Sequence, residues 1–241
     1  MRLLDISYSD PAMNLALDEV MLDSVEQGRS PDTLRLWESA TPFVVIGSGQ
    51  RYKEVVHYFN CLRDKVPVMR RCSAGGAVLQ GPGCLNFALA VTYATFPEVA
   101  DLHASYRYIL GQLIKAFKKA GIETEQAGVS DLVMVNRKFS GNAQRRKRNA
   151  CLHHGSLVYH LDAAAMQRYL PEPKERPTYR GQRTHESFMR PLPLSHEELR
   201  RLVLDTFAPE GVATPPLPEE TEEATALAQT KYSQNDWTLR R

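Results

Sequence analysis

The sequence contains few cysteines, and they form no pattern typical of a metal or disulfide site. Its 241 residues include only four, which are Cys61, Cys72, Cys84 and Cys151, and none of them belongs to a Cys-x-x-Cys pair. This spacing argues against a zinc cluster and against a disulfide framework. It is typical of a cytoplasmic protein with reduced thiols, and we predict no metal site in the protein itself.

Long apolar runs, export signals and an excess of charge are also missing. No 18 apolar residues run together, and the N-terminal MRLLDISYSD carries no cleavage-site pattern, so neither a membrane span nor a signal peptide is predicted. The formal net charge is only +2. The basic run at residues 144–148 has no interleaved aromatic residues, which favours a solvated hairpin tip over a nucleic-acid patch. We expect a cytoplasmic protein with no membrane or nucleic-acid partner.

Strand-like and helix-like segments alternate along the chain. Pro11 follows the capping candidates Ser9 and Asp10 and predicts a helix to about Gln27. Further strands are predicted at residues 2–8, 32–38, 43–47, 68–71, 77–80, 85–93, 131–135 and 157–160, and further helices at 53–65, 106–120, from 195 and at 219–231. The pattern predicts an α/β (α+β) fold, with helices flanking a mixed, mainly antiparallel sheet. We expect one domain over residues 1–241, with 195–241 as its helical C-terminal part.

Two segments combine glycine with fixed cations. They are RRCSAGGAVLQGPGCLN at residues 70–86 and RKFSGNAQRR to CLHHGS at residues 137–156. Glycine lets a backbone approach a ligand closely, and neighbouring arginine or lysine meets an anion with little reorganisation. Neither segment is a Walker A motif or a GxGxxG turn. Together they predict a site for a small molecule bearing phosphate or carboxylate, although the first segment alone also fits a hairpin turn with solvated arginines.

Lys138 is the candidate catalytic cation, placed between a predicted strand and a small-residue turn. It is suited to bind a substrate carboxylate and then the oxygens of an activated acyl group, because stabilising oxyanion charge in a dry site is often the largest catalytic contribution. The alternative is a surface lysine at a strand edge, which is the usual environment of lysine.

Cys151 and His153 would share one face of a strand, with His154 on the other face. The first two are therefore either a nucleophilic pair or a buried structural cysteine beside a hydrogen-bonded histidine. The sequence alone leaves both readings open.

The ordered motifs resemble the lipoate–protein ligase A family, part of the biotin/lipoate protein ligase and lipoyl/octanoyl transferase superfamily. The family patterns RR-x-S-G-G-G-[AT]-V with G-x-L-N, and K-[FVI]-[SA]-G-x-A-Q-x-R with HHG[ST]L, are similar to residues 70–86 and 138–157. NLALDE (14–19), SDL (130–132) and TKYSQNDW (230–237) extend the resemblance over nearly the whole chain. It implies a biotin/lipoate ligase-like catalytic domain.

The resemblance also implies an activity. Lipoate and ATP would form lipoyl-AMP, and the lipoyl group would pass to a lysine of a carrier domain of 2-oxoacid dehydrogenases or of the glycine cleavage H protein. Lys138 is implied to contact the lipoyl carbonyl and the adenylate phosphate. Magnesium is expected with ATP because it neutralises phosphate charge, and no tightly bound cofactor is implied.

The motif positions imply a set of further binding residues. Those implied on the acyl and phosphate side are Arg70, Ser73, Gly75, Gly76 and Ala77, with Asn86 close by. Those implied at the nucleotide are Asp131, Gly141, Asn142 and Ala143, and His154 is implied as a support for the site.

The sequence departs from the family pattern in two places. Ala74 stands where the first glycine of the triplet is usual, which predicts a mild change in pocket shape. Many members continue beyond the position of Trp237 into an accessory domain that assists adenylation, so we expect a single catalytic domain without it. Activation would then need a separately encoded accessory subunit, or the chain would act as a compact ligase alone.

Other activities within the superfamily remain as alternatives. Octanoyltransferases move an acyl group from acyl carrier protein through a cysteine thioester without ATP. The resemblance places their cysteine near Ser130 or well after the motif lysine, and this sequence has none in either place, which leaves only Cys151 as an unfamiliar nucleophile. A biotin ligase is disfavoured because KFSGNAQRR resembles the lipoate branch. A non-catalytic lipoate-binding protein has no positive support.

Overall fold

The computed structural model describes all of residues 1–241. Its strands are β1 (Arg2–Asp5), β2 (Thr33–Trp37), β3 (Phe43–Ile46), β4 (Val68–Arg70), β5 (Val78–Gln80), β6 (Cys84–Thr92), β7 (Glu125–Ala127), β8 (Asp131–Met134), β9 (Arg137–Arg146) and β10 (Ala150–Val158). Its α-helices are α1 (Pro11–Glu26), α2 (Tyr52–Val55), α3 (Tyr58–Asp64), α4 (Leu102–Lys119), α5 (Ala163–Tyr169), α6 (His185–Phe188), α7 (His196–Phe207), α8 (Pro218–Leu227) and α9 (Asn235–Thr238). Short 3₁₀ turns at Pro97–Val99 and Thr178–Arg180 and a π-helical turn at Ala228–Tyr232 complete the chain.

The strands form two sheets. The larger has seven strands in the order β1-β2-β6-β10-β9-β8-β7, and the smaller has the order β4-β3-β5. Within the large sheet only β1 and β2 pair in parallel, and every other neighbouring pair is antiparallel. The predicted mixed, mainly antiparallel α/β fold is therefore confirmed.

Helices cover the large sheet on both faces. Helix α4 repeats apolar residues at helical spacing, and its Ile109, Leu113 and Phe117 enter the main core together with Phe87 of β6 and Val203 of α7. Helix α1 packs on the opposite face, against β6 and β10. The small sheet lies against this second side, so a space remains between the two sheets and α1.

Local capping signals are confirmed where they were predicted. The Asp10 side chain accepts a hydrogen bond from the Ala12 N–H at the start of α1, and Ser195 with Glu198 forms a reciprocal capping box at the start of α7. No helix in the structure combines the length and the apolar character needed to cross a bilayer.

Two sequence predictions of secondary structure are wrong. The predicted helix at 53–65 is two short helices, because Val56 between them is extended, with φ −137° and ψ 134°. The small residues after Lys138 form no turn, since Gly141 and Asn142 lie inside the ten-residue strand β9. Pairing with β8 and β10 on either side overrides their preference for turns.

The tip of the β9–β10 hairpin is only partly solvated. Arg146 donates to the carbonyl oxygens of Val99 (2.7 Å) and Ala100 (2.6 Å). Lys147 forms an ion pair with Asp23 of α1. The predicted solvated tip is therefore correct for the exposed Arg145 and Arg148 but not for Arg146 and Lys147, because the hairpin is long enough to reach neighbouring elements.

Candidate active site

Two connected cavities meet at Lys138. The inner cavity has a volume of about 140 Å³ and lies between the two sheets and α1. The outer cavity, of about 760 Å³, opens from it toward the segment after β10. The residues that line both are Gly75, Gly76, Ala77, Val78, Asp131, Lys138, Gly141 and Ser156. Lys138 thus stands where the two spaces join.

A β-bulge turns Lys138 toward the cavities. Regular alternation would place Lys138 on the same face of β9 as Ser140, toward the core. The pairing of β8 with β9 slips between Leu132 and Val133, so that Leu132 pairs with Ser140 and Val133 with Lys138. The extra residue moves Lys138 to the cavity face together with Gly141, as bulges commonly re-aim a side chain.

The Lys138 ammonium is held by Asp131. Lys138 Nζ lies 2.8 Å from Asp131 Oδ1, and the lysine side chain keeps 23% of its exposure. The second carboxylate oxygen, Asp131 Oδ2, accepts a 2.6 Å hydrogen bond from the Tyr179 hydroxyl. A cation in this position is fixed in direction and still reachable from the cavity.

Arg71 organises the glycine-rich loop from inside. Its guanidinium donates to Ser73 Oγ (3.0 Å) and to the carbonyl oxygens of Ala74 (2.6 Å) and Gly76 (2.9 Å). No carboxylate pairs with it, and burial lowers the pKa of Arg71 to about 10. A buried cation in a cavity wall without a carboxylate partner favours an anionic ligand, because an unpaired buried charge is costly.

The loop uses glycine where its backbone requires it. Gly75 has a φ of +97°, in the region that side chains rarely adopt, whereas Ala74 has no positive φ. The alanine that departs from the family pattern therefore occupies a position that tolerates a side chain.

His154 connects the loop to α1. Its Nε2 lies 2.6 Å from Ser73 Oγ, and its Nδ1 lies 3.5 Å from Asp18 Oδ2. The other oxygen of Asp18 pairs with the buried Arg35 at 2.7 Å. This chain of contacts fixes the imidazole in the cavity wall and ties the glycine-rich loop to the early NLALDE motif.

Arg70 points away from the cavities. It is fully buried, and its side chain lines neither space. All of its hydrogen bonds, at 2.7 to 3.2 Å, go to main-chain carbonyl oxygens, which belong to Gly47, Ser48, Gln50, Trp237 and Thr238. The structure therefore places this predicted ligand-binding residue in a structural position, and its neighbour Arg71 on the cavity side.

The structure brings together ten of the twelve residues singled out from the sequence, so the motif pair describes one site. The ten that line the inner cavity are Gly75, Gly76, Ala77, Asn86, Asp131, Lys138, Gly141, Asn142, Ala143 and His154. Arg70 lies elsewhere, and Ser73 lies one layer behind the wall, against His154. Sequence reasoning noted Arg71 beside Arg70 but did not include it among the site residues, and it missed Asp18, although Asp18 belongs to the NLALDE motif.

The inner cavity is apolar at one end and polar at the other. Leu15, Trp37 and Val45 line it away from the lysine. Gln80 and Asn86 close one wall through two reciprocal amide hydrogen bonds of 2.8 and 2.9 Å. This arrangement suits a ligand with an apolar body and a charged head.

The donor set at the cavities fits a cation bound mainly by its ligand. No three His, Cys, Asp or Glu side chains cluster in a way that could hold a metal ion. Asp131 is the carboxylate that lines both cavities. Both of its oxygens are engaged, by Lys138 and Tyr179, so a magnesium ion that enters with a nucleotide would be held mainly by the phosphate oxygens.

A family model described as the lipoyl protein ligase A/B catalytic domain matches residues 10–208. The match includes α1, every strand except β1, the glycine-rich loop and Lys138. The chain belongs to this family. Its members are enzymes, and the curated proteins similar to this chain carry the names of both lipoate–protein ligases and octanoyltransferases.

The chain is similar over its length to a curated relative of the family and shares its fold with solved structures. The chain is 26% identical to the octanoyltransferase LipM of Halalkalibacterium halodurans, over 100% of this chain and 99% of that protein. A bi-partite lipoate protein ligase from Thermoplasma acidophilum, studied with its E2 lipoyl domain, has the same fold, with a TM-score of 0.85, 22% identity and coverage of 99% and 95%. A lipoate-protein ligase A structure with bound ATP gives a TM-score of 0.84 at 22% identity, with coverage of 99% and 98%.

The cysteines of this family member are all buried. Cys151 is fully buried in the main core, on the face of β10 opposite His154, and burial raises the pKa of its thiol to about 11. The expected shared face of Cys151 and His153 is confirmed, but this face is not the cavity face. Of the four cysteines, only Cys84 lines either of the two cavities at Lys138, the outer one, and burial raises its pKa to about 12. Thiolates are therefore disfavoured at both positions.

Proposed function

We propose that this chain is an ATP-dependent lipoate–protein ligase. It activates lipoate to lipoyl-AMP and transfers the lipoyl group to a lysine of a carrier domain. The observation that carries the proposal is the position of Lys138, a directed cation at the junction of a small, partly apolar cavity and a larger one. We assign residues 1–241 to one catalytic unit, with residues 195–241 as its helical C-terminal part.

The inner cavity is suited to the acyl substrate. Its apolar end, at Leu15, Trp37 and Val45, accommodates the chain and ring of lipoate, and the carboxylate then lies toward Lys138. Arg71 adds a buried positive charge to the same wall. Oriented cations in a water-poor cavity bind an anionic head group more strongly than the same charges in water.

The outer cavity is suited to the nucleotide. Its volume of about 760 Å³ lies within the range of small-molecule and cofactor sites. Gly75, Gly76 and Gly141 lie where the two cavities join, and their lack of side chains allows the backbone to approach a phosphate closely. The bound ATP in a structure of the same fold supports this assignment.

The residues can support two successive reactions. In the first, a lipoate carboxylate oxygen attacks the α-phosphorus of ATP and pyrophosphate leaves. In the second, the amine of the carrier lysine attacks the acyl carbonyl, loses a proton and displaces AMP. Lys138 lies where charge develops on the acyl and phosphate oxygens in both steps, which is the most effective place for a fixed cation. A magnesium ion carried by the phosphates of ATP would neutralise phosphate charge.

We propose lipoyl carrier domains of 2-oxoacid dehydrogenases or the glycine cleavage H protein as partners, in the cytoplasm. Support comes from the bi-partite ligase of the same fold, which was studied with its E2 lipoyl domain. That relative is built from two parts, so activation by this chain is to be measured both alone and with an added accessory subunit.

A transferase activity is the second candidate. It is favoured by the similarity to the octanoyltransferase LipM, which extends over the full length of both chains. It is disfavoured by the burial of every thiol and by Ser130, which lines the inner cavity where the family resemblance would place a transferase cysteine.

Paired assays on the purified protein separate the two activities. A ligase shows lipoate-dependent exchange of pyrophosphate into ATP. A transferase moves the acyl group from octanoyl-acyl carrier protein to a carrier domain without ATP, and Cys84→Ala and Cys151→Ala test each thiol. ATP-independent transfer without any exchange, with or without an accessory subunit, would contradict the ligase assignment.

The role of Lys138 is tested with Lys138→Met, which keeps the length of the side chain but removes its charge. We expect exchange and carrier lipoylation to fall by about 100-fold or more, comparable to the loss of an oxyanion donor. Lys118→Met, on the exposed side of α4, is the matched control and should retain full activity. Wild-type rates in Lys138→Met would contradict the assignment.

A further inference from the structure

The segment after α5, residues 171–190, forms a flap over the outer cavity. Its own ion pair and hydrogen bonds keep it folded. Glu172 pairs with Arg180 at 2.5 Å and accepts the His185 N–H at 2.8 Å. The guanidinium groups of Arg180 and Arg183 lie over the ring of Phe188, at 4.5 and 5.3 Å from its centroid. The flap is thus an ordered unit.

The flap is fastened to the strand that carries the catalytic lysine. The Arg190 N–H donates to the main-chain oxygen of Lys138 at 2.8 Å. Arg183 donates to the Asn136 oxygen at 2.6 Å, and Arg137 donates to the Glu186 oxygen at 2.8 Å. Movement of the flap therefore acts directly on the backbone around Lys138.

One flap side chain also reaches the charged group beside the lysine. The Tyr179 hydroxyl has a single hydrogen-bond partner, Asp131 Oδ2 at 2.6 Å, and Asp131 Oδ1 lies 2.8 Å from Lys138 Nζ. The Tyr179 ring packs on Phe188 at 5.4 Å, so the phenol is anchored within the flap. Burial and the charge of Asp131 raise the pKa of Tyr179, which keeps its hydroxyl a donor.

We propose that Tyr179 is the positioning residue through which the flap sets Lys138. Tyr179 fixes the Asp131 carboxylate, and Asp131 fixes the direction of the lysine ammonium. When the flap is in place, the lysine is held at the junction of the cavities. When the flap moves away, the carboxylate loses its second partner and the lysine loses its fixed direction. Closure of the flap over the substrate is thereby coupled to the orientation of the Lys138 ammonium.

The first test measures Lys138 itself and does not depend on the enzymatic activity. Trace acetylation with acetic anhydride, followed by peptide mass spectrometry, gives the reactivity of Lys138 relative to the exposed Lys118 and Lys119 of α4. In Tyr179→Phe, which keeps the ring, we expect Lys138 to be labelled several-fold faster than in the wild type. Equal labelling in the two proteins would overturn the proposal.

A matched control and a double variant separate positioning from general loosening. Tyr159 also donates its hydroxyl to a carboxylate, that of Glu38 at 2.9 Å, but lines neither cavity. Tyr159→Phe should leave Lys138 labelling unchanged. Because Tyr179 acts through Asp131, Tyr179→Phe should add nothing in an Asp131→Asn background. Additive effects would show that Tyr179 acts by another route.

The kinetic arm rests on the proposed ligase function. Tyr179→Phe should lower kcat for pyrophosphate exchange on the order of 10-fold, as expected for one lost hydrogen bond to a charged group, while KM for lipoate stays unchanged. A rise in KM with unchanged kcat would overturn the positioning role. If the wild type shows no exchange either alone or with an accessory subunit, the ligase assignment fails, and the labelling result still decides the role of Tyr179.

Discussion

At the scale of single residues, the adjacent Arg70 and Arg71 have different roles. Both are buried cations without a carboxylate partner. Arg70 ends strand β4 and points to the C-terminal segment, whereas Arg71 points to the glycine-rich loop and the inner cavity. Successive side chains of an extended chain point to opposite sides. Arg70 therefore binds the C-terminal segment, and Arg71 places a positive charge in the wall of the inner cavity.

His153 is a titratable residue in the hydrophobic core, and its burial lowers its pKa. It is fully buried on the core face of β10, between the rings of Phe87 (5.8 Å) and Tyr106 (5.3 Å). Its Nδ1 contacts Gln144 at 2.9 Å, and its Nε2 has no partner. Burial, followed by the nearby His154, lowers the pKa of His153 to about 3.

This lowered pKa predicts a loss of stability in acid. The folded state keeps His153 neutral, whereas the unfolded chain binds a proton below pH 6.5, so the stabilisation is complete above pH 6.5 and decreases as the pH falls toward 3. Between pH 7.5 and 5.0, the wild type should lose about 2 kcal/mol more than His153→Phe. Urea unfolding at the two pH values measures this difference.

The control for this prediction is the exposed His103 of α4. His103→Phe should retain the acid sensitivity of the wild type. If His153→Phe loses as much stability as the wild type between the two pH values, burial of this imidazole is not the source of the acid sensitivity.

At the scale of elements, the C-terminal segment is part of the site architecture. Helix α9 presents the carbonyl oxygens of Trp237 and Thr238 to Arg70, and the Trp237 indole N–H donates to the Arg70 oxygen at 2.7 Å. Lys231, just before α9, pairs with Glu19 of α1 at 2.6 Å. The late TKYSQNDW motif thus closes onto α1 and onto the strand that leads into the glycine-rich loop.

Loss of the hydrogen bonds that the Arg70 guanidinium donates should loosen the C-terminal segment. Lysine keeps the positive charge, but its ammonium cannot donate to the same carbonyl oxygens as the planar guanidinium of arginine does. Arg70→Lys should lower the free energy of unfolding by about 3 kcal/mol and speed amide hydrogen exchange in residues 235–241. Hydrogen-exchange mass spectrometry and urea unfolding measure these effects.

Arg29→Lys is the matched control for this element. Arg29 lies at the surface and pairs with Glu223, so its replacement should change stability by less than about 1 kcal/mol. Unchanged amide hydrogen exchange in residues 235–241 of Arg70→Lys would show that the Arg70 hydrogen bonds do not hold α9.

At the scale of the whole molecule, the site is a space between sheets. The large sheet contributes Asn86, His154 and Lys138, the small sheet contributes Val45, and α1 contributes Asp18. No single element carries the site, so ligand binding should stabilise the fold as a unit. A molecule that fills both cavities crosses the junction at Lys138.

A non-hydrolysable lipoyl-adenylate analogue should therefore stabilise the protein more than its parts. At a free concentration 100 times Kd, binding adds about 2.7 kcal/mol. For a chain of this size this corresponds to a rise in Tm of about 5 to 10 °C. An equimolar mixture of lipoamide and AMP should give a smaller rise, because joining the two groups makes the second contact intramolecular. An equal rise in Tm with the analogue and with the mixture, measured by scanning calorimetry, would contradict one continuous site.

The sequence by itself determined the fold class, the caps of α1 and α7 and most of the site. These features depend on local patterns such as Pro11 after Asp10, the Ser195 and Glu198 capping box and the spacing within the two glycine-and-cation segments. Side-chain chemistry and short-range backbone preference are sufficient for them.

Only the tertiary structure decided which groups face the cavities. The strand character of Gly141 and Asn142 comes from neighbouring strands, and the bulge that turns Lys138 outward comes from the pairing of β8 with β9. The contacts of Arg70 with the C-terminal segment and the contact of Tyr179 with Asp131 join residues far apart in the chain. Such directions and long-range contacts follow from register and packing, which the local sequence pattern does not contain.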